Sequence, residues 1–542
     1  MKNKKIIILG FVIASFLFIS FNDLEYFKLN KNFQIFGAVF KEVNKAYVNE
    51  IDNDDLFDKA INALLDELDP YTVYYQEDNK DDIEMITNGH YVGFGITIRK
   101  MNNQVTVTGI SDDFMSYENG LRVGDILYKI DENLVINLES DELKKYTQGT
   151  SGSIADVKVI RQKDTISLKL ERHQVDVKNI SYYGMISDSI GYIKLERFSF
   201  DADNDFRKSY FELINNNNVK GLVIDLRDNP GGLLQAALNI CEMFVPKGSI
   251  LLSTKGRMNV KNYTYKSYTE PIDLKTPICV IINENSASAS EIVAGCLQDH
   301  DRAIVTGKQS FGKGLVQSVL DLPYNATLKI TTAKYYTPSG RCIQRIEYGK
   351  DKNLEKSDSV FYTSLGRKVY ESKGISPDSV LEQYQYNEYT RKLYNSDAFF
   401  NFSNEYLLDK NIELYYEISE EDLDQFKSYL SKKSLLNVSK SSESIEKLYE
   451  FAADEKILED IEYEIDVLSA KISKLNKKMF EQNKSEIKKL LDYEFKRRYY
   501  NSEQLSGLYK DKDSVIIKSI DLLMGQNYNK ILSSPEKNDY KQ

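Results

Sequence analysis

The run Ile278-Cys279-Val280-Ile281-Ile282 is apolar throughout and gives way at once to Asn283-Glu284-Asn285-Ser286-Ala287-Ser288-Ala289-Ser290-Glu291. Exchange of a strand for alternating small residues suits a tight strand-to-helix turn, which exposes one side chain and presents backbone amides. The same order recurs upstream. Gly221-Leu222-Val223-Ile224-Asp225-Leu226 reads as a buried strand and runs into Arg227-Asp228-Asn229-Pro230-Gly231-Gly232, which opens another helix. With Ile190 to Leu195 as a further strand and Phe206 to Ile214 as a helix, strands alternate with helices in the pattern of an α/β core. A glycine pair between strand and helix offers amides and a helix dipole to a developing negative charge. A plain tight turn is the alternative.

Downstream, Ser310-Phe311-Gly312-Lys313-Gly314-Leu315-Val316-Gln317 sets Lys313 between two glycines, where the backbone can bend and a long amine can fold back into a dry pocket. A serine hydroxyl needs a base near neutral pH, and a free lysine titrates at about 10.4. Bringing it to neutrality takes about 4 kcal/mol of desolvation, within reach of a buried amine. Histidine offers little competition. Of His90, His173 and His300 only the last lies in this region, between Asp299 and Asp301, so a Ser-His-Asp arrangement would have to use it; a solvated turn is its ordinary reading. Glu291 stands three residues after Ser288, where Ser-x-x-Lys enzymes place their base, and its identity rules that mechanism out. It reads as first-turn helix charge, with a place in the site as the alternative. The cysteines Cys241, Cys279, Cys296 and Cys342 lack metal-ligand spacing and read as buried thiols.

Ser286 to Glu291, Gln298-Asp299, Arg302-Ala303, Phe311 to Gly314 and Gln317 resemble, in order, the signature of the C-terminal processing peptidases, also called tail-specific proteases. The resemblance implies a serine endopeptidase without cofactor or metal, with Ser288 as nucleophile, Lys313 as general base and Gln317 orienting the lysine. It further implies an oxyanion hole made by Gly231 or Gly232 and the Ala289 amide. Tyr336 to Arg341 and Gly374 to Asp378 are similar to motifs that close the family's protease core. Leu68 to Tyr74 is similar to another, with Tyr71-Thr72 where the family usually has His-Ser. Between His90 and Arg172, short alternating strands and the turn Gly120 to Asp125 resemble a PDZ domain. There Gly93, Phe94, Gly95 and Ile96 would hold a peptide's terminal carboxylate through backbone amides while the peptide adds as a strand.

The expected architecture is an α/β protease core with an inserted PDZ-like β domain, an N-terminal helical segment and a helical C-terminal extension. Residues 1–25 form a signal anchor or signal peptide, 26–88 the helical segment, 89–175 the PDZ-like domain, 176–380 the protease core and 381–542 the extension. Lys2, Lys4 and Lys5 precede an uncharged run from Ile6 to Phe21 with a poor cleavage pattern, which favours an uncleaved anchor and places the rest of the chain outside the cytoplasmic membrane, on the periplasmic side. Phe33, Phe36, Phe40, Val43 and Tyr47 share one helix face, read as ordinary packing. Leu458, Ile461, Ile465, Leu468, Ile472, Leu475 and Met479 alternate steps of three and four over three heptads; this is intrachain packing or the seam of a homodimer. A net charge of −11 without a long basic block argues against a nucleic-acid partner, and the resemblance implies protein or peptide substrates with exposed C-termini. The rival function is a catalytically inactive, PDZ-containing peptide-binding scaffold, which has no need of a desolvated amine beside the serine turn.

Overall fold

The computed structural model describes residues 26–533 other than 77–88, 112–114, 217, 258–261, 349–358, 372, 383, 409, 411, 438 and 526. The apolar N-terminal run lies outside them, and among the described residues no helix is long and apolar enough to cross a membrane. The chain divides into two units, one made of its N-terminal part to residue 76 with residues 319–330, the other of the remainder.

In the first unit, residues 26–46 (α1) and Asn53–Asp66 (α2) are helical, and Val73–Tyr75 (β1) pairs antiparallel with Thr327 to Lys329. Asp52 caps α2 by accepting the Asp54 and Asp55 amides, and Asp69 closes the turn after it by accepting the amides of Tyr71 and Thr72. The aromatic face of α1 is not ordinary packing. Phe40 meets the Phe57 ring edge to face, but Phe33 is 74% exposed and Phe36 and Tyr47 are exposed as well.

The second unit begins with a two-stranded ribbon, His90–Gly93 (β2) against His173–Asp176 (β9). The described residues between those strands form a β module. Its sheet runs Ile96–Met101 (β3), Gln104–Ile110 (β4), Ile126–Ile130 (β5), Ile154–Arg161 (β7) and Asp164–Glu171 (β8), with Asn133–Leu134 (β6) pairing β5 and the helix Ser140–Thr147 (α3) beside β3. Alternate residues of β7, Ala155, Val157 and Val159, turn into a core with Phe94, Leu121 and Leu127, as the two-residue period of a half-buried strand requires.

The central sheet has the order β10-β11-β12-β15-β16-β21. Its strands are Ile180–Met185 (β10), Ile190–Leu195 (β11), Gly221–Asp225 (β12), Ile278–Ile282 (β15), Ala303–Gly307 (β16) and Ser379–Val380 (β21); β10 is antiparallel to β11 and the other pairs are parallel. One face is covered by Ala202–Asn216 (α4), Leu234–Glu242 (α5) and Ala289–Asp299 (α6), which bury Phe206, Ala237 and Val293 against Ile224, Val280 and Val305. Parallel strands joined by helical crossovers must be buried on both faces. The second face, carrying Val223, Cys279, Ile281 and Ile304, is closed from the far end of the chain. A smaller sheet joins Ile250–Gly256 (β13), Tyr263–Lys266 (β14) and Ala333 to Tyr336 of Thr327–Tyr336 (β18), the partner of Leu315–Asp321 (β17) in a hairpin. Val360–Tyr362 (β19) and Lys368–Tyr370 (β20) form a short ribbon.

Six helices follow: Glu388–Asn395 (α7), Ala398–Tyr406 (α8), Glu420–Lys432 (α9), Lys440–Asp454 (α10), Leu458–Gln482 (α11) and Lys484–Lys496 (α12). They build their own core around Phe399, Phe426, Phe480 and Phe495. The heptads of α11 do not form a continuous free seam. Leu458, Ile461, Ile465 and Ile472 pack with Ile445 and Ala452 of α10 and Met479 joins the helical core, leaving only Leu468 and Leu475 of the seven about half exposed. The chain then returns to the central sheet through Ser502–Tyr509 (α13), Ser514–Met524 (α14) and Asn527–Ser533 (α15), and Val515, Ile516, Leu523, Tyr528 and Ile531 cover its second face.

Candidate active site

Strands β12 and β15 are parallel neighbours, with Asp225 level with Ile281, so the loops leaving their carboxyl ends lie side by side. This is where open α/β sheets place their ligands. The loop after β15 carries the three serines. Ser286 donates its hydroxyl to the Leu226 carbonyl at 2.8 Å and Ser290 donates to the Asn229 carbonyl at 3.0 Å, both buried. Those two hydroxyls fasten the serine turn to the neighbouring loop. Ser288 differs: it is half-buried between two buried alanines and has φ 55° and ψ −113° immediately before α6. A residue with a Cβ rarely occupies that region, and holding one there costs on the order of 1–3 kcal/mol.

Glu291 joins the serine turn to the lysine loop. Its buried carboxylate accepts the Ser288 amide and the Lys313 amide on the same oxygen, each at 2.9 Å, while the other oxygen takes the Ser310 hydroxyl at 2.5 Å and the Gly312 amide at 2.7 Å. The Ser288 and Lys313 nitrogens therefore lie within twice 2.9 Å of each other. Burial pushes this carboxyl up from its ordinary value, and the four donors pull it back only in part. First-turn charge describes its place in α6 but misses this second connection. Gln317 lies in β17, four residues beyond Lys313, and its amide reaches the Thr331 hydroxyl at 3.5 Å.

The loop after β12 approaches the serine so closely that only glycine fits at Gly231. A Cβ there would stand 2.7 Å from the Ala287 carbonyl oxygen and 2.9 Å from both the Ala289 nitrogen and the Ser288 Cβ, and φ is +99°. The Gly231 amide itself is committed to the Asn229 side chain at 2.9 Å. Among the described residues the amides of Gly232 and Ala289 have no internal acceptor, the latter being the first N–H of α6. Asn229, which sequence reasoning passed over, bolts the two loops together. Its side chain also donates to the Leu195 carbonyl at 2.8 Å, and its own carbonyl accepts the Ala287 amide at 3.0 Å and the Ser290 hydroxyl. Its position next to the Pro-Gly-Gly turn was the available signal.

His300 cannot reach this place. It sits at the opposite end of α6, about 16 Å along an eleven-residue helix, with its Nε2 2.7 Å from the Ile250 carbonyl. The four cysteines are free and buried, and burial pushes the Cys279 thiol up to about 12. Among the described residues no cluster of side chains suits a metal ion.

In the β module, β3 is an edge strand. Ahead of it the Phe94 carbonyl accepts the Ser116 hydroxyl and the Gly95 carbonyl accepts the Ser111 amide at 2.7 Å. In a trans peptide the carbonyl and the next N–H point opposite ways, so the amides of Gly95 and Ile96 are turned outward. Gly93 lies against the end of α3 beside Thr147 and Gln148, and Phe94 is buried beneath the Arg172 guanidinium.

Residues 189–354 match the family described as "Peptidase family S41", and residues 389–523 match "Probable PDZ-protease, C-terminal helical domain". The chain is 36% identical over 326 residues to a "Carboxy-terminal-processing protease" of Bartonella bacilliformis, covering 59% of this chain and 74% of that one. This chain belongs to peptidase family S41. It is also 26% identical over 347 residues to a "Probable CtpA-like serine protease" of Staphylococcus epidermidis, which spans 63% of this chain and 67% of the relative. A solved "photosystem II D1 C-terminal processing protease" aligns with 64% of this chain and 92% of its own at 24% identity, with a TM-score of 0.36. Membership of S41 makes the chain a serine-type endopeptidase of the carboxy-terminal-processing kind, and the first of the two matches spans the serine turn, the glycine pair and the lysine loop together.

Proposed function

We propose that this S41 peptidase acts outside the cytoplasmic membrane, held there by its N-terminal apolar run, and cleaves proteins whose C-terminal tails it captures on its PDZ-like β module. The observation that carries the chemistry is the single Glu291 oxygen shared by the amides of Ser288 and Lys313, which brings a strained, half-exposed serine and a lysine loop to one point. In this reading Lys313, acting as a neutral amine, takes the Ser288 Oγ proton as the oxygen attacks the scissile carbonyl carbon. The oxyanion is received by the amides of Gly232 and Ala289, with Gly231 allowing the close approach. The proton passes from Lys313 to the departing amine, and water, deprotonated by the same lysine, then releases the acyl group. Gln317 orients the lysine.

Tail capture is supported by the outward amides of Gly95 and Ile96 next to an open strand edge: two donors suit a terminal carboxylate, and the edge suits strand addition. A peptide ending in a free carboxylate after an apolar residue is therefore cut with a KM several-fold lower than its amidated twin, at similar kcat. Equal kinetics for the two would remove carboxylate recognition while leaving the catalytic pair in place. The whole reading is tested by mass spectrometry of extracytoplasmic protein C-termini from cells carrying wild-type chain or Ser288→Ala. Tails shortened only with the wild-type chain support it, and identical termini would favour the inactive scaffold.

A further inference from the structure

The charged groups beneath the glycine loop continue beyond the protease core. Arg227 opens that loop and is 11% exposed at its side chain. Its Nε donates to both oxygens of Asp225 at 3.0 Å, its backbone amide donates to the same carboxylate at 3.0 Å, and Tyr192 adds its hydroxyl at 2.8 Å. Burial alone would raise the Asp225 carboxyl, but the Arg227 charge and hydrogen bonds outweigh it and hold the group below the ordinary carboxylate range. The remaining edge of the guanidinium points elsewhere. Arg227 Nη1 donates at 2.7 Å to Asp513, 286 residues later, at the start of α14.

Asp513 has two tasks, one for each oxygen. Oδ1 caps α14 by accepting the amides of Val515 and Ile516 at 2.8 and 3.2 Å, while Oδ2 takes Arg227. Immediately after Arg227, Asp228 holds φ 62°, and its backbone and carboxylate are tied to Asn283 and Asn285 of the serine turn at 2.8–2.9 Å. The start of the glycine loop is thus fixed twice, by Asp228 on the serine turn and by a guanidinium whose outer partner belongs to the C-terminal extension. We propose that Asp513 is a positioning residue for hydrolysis: through Arg227 the extension holds the Arg227–Gly232 loop where the Gly232 amide meets the oxyanion. This rests on the reading of Gly232 and Ala289 as oxyanion donors. Without the carboxylate, Nη1 is buried with no acceptor, and the guanidinium has to turn toward water, drawing on the Arg227 backbone.

The test separates the two tasks. Asp513→Asn keeps the cap, since asparagine caps as well as aspartate, but removes the charge from Arg227. Asp513→Glu keeps a charge and weakens the cap. Ser519→Ala breaks the 3.0 Å contact with Thr306 in the same interface without touching Arg227. In the full-length enzyme, Asp513→Asn lowers kcat about tenfold at unchanged KM and near-native Tm, whereas Asp513→Glu and Ser519→Ala lower Tm and leave kcat within about twofold of wild type. A normal kcat for Asp513→Asn, or kcat losses that follow Tm across the three variants, would overturn the inference. Ser288→Ala runs in the same assay. If it is live, the reading of the site falls and takes this one with it; if it is dead while Asp513→Asn is normal, only this inference falls.

Discussion

Ser288→Ala and Lys313→Arg each reduce tail cleavage by about 10⁴-fold or more, equivalent to roughly 5 kcal/mol of lost transition-state stabilisation, while the protein keeps its fold and its affinity for peptide. Neither change empties core volume. Ser288 is half-buried at a turn and Lys313 is half-buried in a loop whose backbone is bonded to Glu291 independently of the side chain. The arginine variant isolates the chemistry. It keeps a long basic side chain, but a guanidinium stays protonated in this range and cannot accept the hydroxyl proton. Gln317→Ala loses less, about tenfold, because that residue orients the base and carries no proton. His300→Ala leaves the rate in place because His300 lies at the far end of α6 on the Ile250 carbonyl. Near-normal rates for Lys313→Arg, or a folded but dead His300→Ala, would replace the lysine mechanism with one based on histidine.

The parts of this site legible in the sequence were those written in short stretches of chain. An apolar strand, small residues and then a helix specify a strand-to-helix turn locally, and the structure has one at each of the two places where the pattern occurs. Contacts between stretches were not legible. Glu291 falls in the first turn of a helix, where a carboxylate is expected for helix-dipole reasons alone, and nothing in the periodicity records that the Lys313 loop returns to bind the same group. The commitment of the Gly231 amide to Asn229 is likewise a detail of loop conformation, so the sequence could not choose between the two glycines. In the C-terminal extension the three-and-four spacing of α11 correctly signalled a helix with one apolar face, but spacing does not name the partner, which is chiefly α10. The return of α14 and α15 to the central sheet had a signal that was not used. Apolar runs such as Ile278–Ile282 and residues 222–224 require cover on both faces, and the helices within the core cover only one.

Glu291→Gln has the second largest effect, on both stability and rate. A carboxylate offers acceptors on both oxygens, and four donors use them. A glutamine side chain has one acceptor and one NH2 group, so in either orientation two donors face another donor. If the NH2 faces Ser310, that hydroxyl can rotate away but the Gly312 amide stays unsatisfied; if it faces Ser288 and Lys313, two amides are opposed. An unmet buried donor costs about 1–3 kcal/mol, partly offset by no longer burying a charge, which leaves a net loss near 2 kcal/mol. The rate falls further, about 100-fold, because the nucleophile turn and the base loop lose the atom they share. The pH dependence distinguishes this role from simple packing. Folding raises the Glu291 carboxyl above its ordinary value, so the native state binds the proton more tightly than the unfolded chain. The stability this group contributes is therefore fully present below the ordinary carboxylate value and declines as pH rises through the raised one. Over the same window activity rises, because only the ionised group accepts all four donors. Denaturant titrations across that window should show the stability gap between wild type and Glu291→Gln narrowing as pH increases, while the gap in kcat widens. A constant stability gap, or a Glu291→Gln enzyme within threefold of the wild-type rate, would mean that Glu291 fills space in α6 and does not hold serine and lysine together.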